Sequence, residues 1–205
     1  MKKMSDILFN TIEQLRPALR AGELEDCENT VVEKIRQLAR SPFDAALEMN
    51  ISNDPVNAAK TLDGFFELEA RQMTIAAAYT EMNGFDINPR LWFCDFFAYA
   101  SYGGHDDYDW LSGSQSSDSP HYVIRGMETL QSVYASDASR EKSFHDAKSM
   151  SSLLVVIKFQ QFMKKAATQM KLLHFPFLVT AHDFDFIAEF GPKVEIRPSP
   201  SAKSG

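Results

Sequence analysis

The segment that most constrains this chain is RLWFCDFFAYASY, Arg90 to Tyr102. Aromatic and apolar side chains fill nearly every position, so a helix built from it has no wet face and must be buried all round. Asn88-Pro89 supplies a helix start and Gly103-Gly104 a stop. The expectation is a Phe-rich central helix with the remaining elements packed around it. A chain of 205 residues, 44% hydrophobic and with sixteen Phe, can bury such an element without disulfides or a structural metal.

The flanking sequence is punctuated as further helices. Ser5 caps an amphipathic stretch carrying Ile7, Leu8, Ile12 and Leu15, which Pro17 would end or kink. Leu24, Cys27, Val31, Ile35 and Leu38 recur at three and four residues on one face of a second. Ser41-Pro42-Phe43-Asp44 and Asp54-Pro55 are helix starts. The helix opened by Pro55 is expected to run through Phe66, Met73, Ala76 and Tyr79 to a left-handed cap at Asn83-Gly84. Residues 126–135 read as a short helix. Residues 143–173 read as a long one, with Val155, Phe159, Phe162, Ala166, Met170 and Leu173 as its stripe. After His174-Phe175-Pro176, apolar and polar residues alternate, and two or three short strands are expected.

The expected fold class is therefore mainly α: a helical bundle or array over residues 5–173 with a small C-terminal β element at about 176–197. One globular domain would cover 1–197, with a disordered tail at 198–205.

Lysine and arginine number 21 against 28 aspartates and glutamates, a formal net charge of −7. Such a chain is repelled by phosphate backbones, and no Lys/Arg stripe with interleaved aromatics is present, so nucleic acid is not the expected partner. A basic protein is. Cys27 and Cys94 form no CxxC pair and read as reduced, buried thiols of a cytoplasmic protein. The start, MKKMSDILFN, lacks the apolar centre of a secretory signal, and no apolar run approaches a membrane span. No P-loop or GxSxG elbow occurs, and no cofactor is expected.

One stretch stands apart: YGGHDDYDWLSGSQSSDSPHY, Tyr102 to Tyr122. It is longer than an ordinary connection, and loops of that length tend to be functional or disordered. Tyrosine and tryptophan give large contact area with few rotatable bonds, and carboxylates steer a cationic partner. The candidate partner-binding residues are accordingly Tyr102, His105, Asp106, Asp107, Tyr108, Asp109 and Trp110. The expected function is that of a non-enzymatic intracellular binding protein, of inhibitor or immunity character, masking a basic protein. The competing reading is that Tyr108 and Trp110 tuck back into the core while the acids face water.

The same stretch holds metal-ligand types in His105, Asp106, Asp107, Asp109, Asp118 and His121. An EF-hand register fails, because Leu111 occupies the fifth loop position and the glycine falls one residue late. Three dipeptides, His105-Asp106, His145-Asp146 and His182-Asp183, invite comparison with the HD-domain phosphohydrolases. That comparison rests on two adjacent letters and is not a family match. The alternative function it defines is a metal-dependent hydrolase using His105, His121, His145, Asp146, His182 and Asp183, with Asp185 as a further acid. Neighbouring residues on a helix point about 100° apart, which disfavours a shared metal. A homodimer joined through a C-terminal strand edge is left open.

Overall fold

The computed structural model describes residues 5–104, 108–113, 121–184 and 187–192. Of these, 53% are helical and about 14% lie in strands, and the fold is mixed α/β around a five-stranded sheet. The helices are α1 (Asp6–Ala21), α2 (Leu24–Gln37), α3 (Pro55–Glu69), α4 (Glu128–Tyr134) and α5 (His145–Ala167). The strands are β1 (Ala77–Asn83), β2 (Phe93–Tyr99), β3 (Tyr122–Val123), β4 (Phe177–Ala181) and β5 (Ala188–Phe190), in the order β3-β2-β1-β4-β5. All neighbours are antiparallel except β1 and β4, which run parallel at the centre.

The mainly α expectation is thus overturned, and the decisive segment is the one expected to be the central helix. Residues 93–99 form β2, with Cys94, Phe96 and Ala98 on one face and Phe93, Asp95, Phe97 and Tyr99 on the other. A short apolar run buried on both sides has no periodicity that separates strand from helix. Its aromatic content and the brackets of Pro89 and Gly103 favour the strand. The helix opened by Pro55 likewise stops at Glu69, well before Asn83. Tyr79 belongs to β1, where AAYTEMN alternates Ala78, Thr80 and Met82 inward with Tyr79, Glu81 and Asn83 outward. Residues 83–84 end a strand rather than cap a helix; a Cβ on Gly84 would stand 3.1 Å from the Trp92 ring.

The helix buried on all sides is α5, in which Leu153 to Ile157 are consecutively inaccessible. It packs against the inner sheet face, where Gln160 Nε2 donates to the Val179 carbonyl at 3.0 Å. Phe65 and Phe66 of α3 lie on the same side, against Phe96 and Phe177. At the N-terminal end Ser5 Oγ accepts the Leu8 N–H, and α1 continues through Pro17 to Gly22, whose φ of 72° closes it. The outer sheet face carries a second, smaller cluster of Ala77, Tyr79, Tyr99, Leu178 and Ile187, joined by Phe97, Tyr102, Trp110 and Leu111. None of these nine comes from an α-helix.

Candidate functional site

The acidic-aromatic stretch is laid across that outer face. Trp110 stands edge-on to Tyr99 and Tyr102, with centroids at 4.9 and 5.3 Å, and its Nε1 donates to the Gly104 carbonyl at 3.2 Å. Tyr102 Oη donates to Glu189 Oε2 on β5 at 2.6 Å. Burial, then the hydrogen bond to Glu189 and that residue's charge, push the Tyr102 hydroxyl above its ordinary range. Trp110 and Tyr102 are half-buried, whereas Tyr108 and Asp109 are exposed. His105, Asp106 and Asp107 lie outside the described residues, as do Asp118 and Asp185.

Next to this loop the outer face carries a row of hydrogen-bonded acids and imidazoles. Glu81 and Asp95 are directly opposed across the β1–β2 pair, a juxtaposition of like charges that costs stability unless it is relieved. Each carboxylate has its own histidine: His182 Nδ1 is 2.7 Å from Glu81 Oε1, and His121 Nδ1 is 2.7 Å from Asp95 Oδ1. The second oxygens are also used, Glu81 Oε2 by the Tyr79 hydroxyl and Asp95 Oδ2 by Asn83 Nδ2, both at 2.7 Å. Desolvation, reinforced by the charge of Glu81, holds the Tyr79 proton on its oxygen far above the usual range.

Of the residues singled out from sequence, His121 and His182 fall in this row. Glu81, Asp95, Tyr79 and Asn83 were missed. Their signal was the alternation in AAYTEMN and FCDFFAY, which aims all four outward once the segments are taken as strands.

A cleft of about 1250 Å³ opens where the parallel strands β1 and β4 end. His182 and Asp183 stand on its sheet side, and His145 on the side formed by the start of α5. Lys148 is committed to Asp86 and to the Ser139 carbonyl. Asp146 is exposed in the first turn of α5. Among the described residues no group of three His, Cys, Asp or Glu side chains could hold a metal ion; His105 and Asp185 of the alternative ligand set lie outside the described residues. Both cysteines are buried and unpaired. Among the described residues no helix is long and apolar enough to cross a membrane.

The chain matches no family model, no curated protein and no solved structure.

Proposed function

We propose that this is a non-enzymatic binding protein of the cytoplasm, of inhibitor or immunity type, which offers a basic protein partner the outer face of its sheet and the loop laid across it. The observation that carries this reading is the anchoring of the loop. Tyr102 and Trp110 tie it to β5, β2 and its own backbone, and Tyr108 and Asp109 are left exposed on it. A surface ordered in advance loses less conformational entropy on binding. An acidic chain with a net charge of −7 attracts a cationic protein over distances up to about a Debye length, which low salt extends.

The test is affinity capture from the native host, with a Tyr108→Ala/Asp109→Asn variant as control. A basic protein captured by the wild type, lost from the variant and lost progressively with added salt supports the reading. An unchanged set of captured proteins in the variant, or a set without basic members, refutes it. Equal thermal midpoints for the two proteins show that the change lies at the surface.

A further inference from the structure

In open α/β sheets ligands sit beyond the carboxyl ends of parallel strands, where the chain leaves the sheet. In this molecule that place is the cleft at the ends of β1 and β4. Two observations mark it further. Phe85 and Asp183 are the only non-glycine residues with left-handed backbone among the described residues, at φ of 58° and 68°. They lie just beyond β1 and β4 respectively, and both line the cleft. Such conformations are costly for a residue with a side chain, persist only where the surroundings enforce them, and cluster at binding and catalytic sites.

The second observation is the fixed orientation of His182. Its backbone N–H donates to the Met82 carbonyl at 3.1 Å, and its Nδ1 is 2.7 Å from Glu81 Oε1. Glu81 is itself held by the Tyr79 hydroxyl. A carboxylate accepts hydrogen bonds and donates none, so Nδ1 carries the proton and Nε2 of the neutral ring is an acceptor. That ring is half-exposed on a wall of the cleft, with Nε2 3.7 Å from Asp183 Oδ1, and in the neutral ring Nε2 and this carboxylate are both complemented by hydroxyl donors.

The facing wall, formed by the residues leading into α5, presents Arg140, Lys142 and His145, all exposed. Arg140 makes only a 3.5 Å contact with Asp137 among the described residues. Among the described residues the Lys142 and His145 side chains have no hydrogen-bond partner or ion pair. Glu141 lies between Arg140 and Lys142 and offsets part of their charge; of the other acids lining the cleft, Asp86 is paired with Lys148 and Glu81 with His182, and Asp183 is on the opposite side.

We propose that the cleft binds a small hydroxylated organic anion of the sugar-phosphate kind, its anionic group held by Arg140, Lys142 and His145 and a hydroxyl donating to His182 Nε2. The site adjoins the proposed partner surface and shares Glu81 and His182 with it, but its test involves no protein partner. The measurement is calorimetric titration of the full chain with ribose 5-phosphate, and separately with ribose and with inorganic phosphate. Ribose 5-phosphate is expected to bind saturably and at least about tenfold more tightly than either fragment, about 1.4 kcal/mol. Arg140→Ala/Lys142→Ala should weaken it by roughly tenfold.

His182→Asn keeps an amide donor near the Nδ1 position while removing Nε2, and should abolish the advantage of ribose 5-phosphate over phosphate alone. The imidazole C–H resonances of His145 and His182 should both move on titration. If ribose 5-phosphate produces neither saturable heat nor movement of these resonances, the proposal is wrong. It is equally wrong if phosphate alone binds as tightly, or if variants with native circular dichroism bind like wild type.

Discussion

Replacing Trp110 with alanine separates an anchored loop from one that merely displays its aromatics. In the structure the indole stands edge-on to both Tyr99 and Tyr102 and donates to the Gly104 carbonyl. Edge-to-face aromatic pairs are worth about 0.5–1.5 kcal/mol each beyond their buried area, and a neutral hydrogen bond contributes about 1 kcal/mol. A fully buried aromatic truncated to alanine costs about 3–5 kcal/mol. Trp110 is half-buried, so the expected loss is about 2–3 kcal/mol, read as a lower urea midpoint with unchanged slope. Tyr102→Phe, which removes only the hydrogen bond to Glu189, should cost about 1 kcal/mol, and more if Glu189 is left without another donor. A Trp110→Ala protein within about 0.5 kcal/mol of wild type would refute the packed loop. If that variant also lost its partner, Trp110 would be a free contact residue instead of an anchor.

Gly126 has a φ of 91°, and a Cβ there would lie 2.1 Å from the Asn50 carbonyl oxygen. Gly126→Ala should therefore cost more than about 3 kcal/mol, a fall in Tm of roughly 6–12 °C. Gly64, inside α3 with open space around its missing Cβ, should respond oppositely. Gly64→Ala is expected to raise Tm by about 2–4 °C, and a fall would contradict the helical assignment. Burial raises the Glu28 carboxyl, but hydrogen bonds from Lys158 and Gln161 and the charges of Lys158 and Lys165 outweigh it and hold the group below its ordinary pKa. Its contribution to stability is then complete above the unfolded value of about 4.3 and fades as pH falls through the depressed one. The stability gap between wild type and Glu28→Gln in urea should narrow from pH 7 to pH 3; a constant gap would exclude the linkage. Burial, with Asp26 and Glu23 close by, pushes the Cys27 thiol up to about 11, and Cys94 is wholly enclosed. Neither should be alkylated at pH 8 in the native protein, and both should react in denaturant; native labelling at the unfolded rate would show that the core is open.

What could be read from the chain depended on whether a segment exposes one face to water. Ser5, Asp54 and the three-and-four spacing of Leu24, Cys27, Val31 and Ile35 mark amphipathic helices, because one side of each remains polar. Arg90 to Tyr102 offered no such contrast: both faces of β2 carry aromatic residues, because helices pack on one and the loop carrying Trp110 on the other, and Asp95 is the one charged side chain in the strand. Its pattern could not report its period. Residues 70–76 posed the opposite difficulty, since no proline or glycine marks where α3 ends and β1 begins. The site is hidden for the same reason. Glu81 sits two residues from Tyr79 in a stretch whose spacing reads as a helix, which gives no sign of its cross-strand opposition to Asp95 or of its hydrogen bond to a histidine about a hundred positions away. In the sequence His182 stands out by the aspartate that follows it, whereas the carboxylate nearest its ring is that of Glu81.

The parallel pairing of β1 with β4 has a consequence for how the chain reaches this fold. β1 ends at Asn83 and its neighbour begins only at Phe177, with α4 and α5 between them. During synthesis the β1–β2 hairpin therefore emerges with one edge unpaired. Ala77, Ala78 and Tyr79, all apolar or aromatic, lie on that edge, the kind of strand that recruits foreign strands. Closing a contact of such sequence separation is slow. The ribosome-bound or truncated chain is then the species most exposed to aggregation, and the final strand pair acts as the latch that ends this exposure.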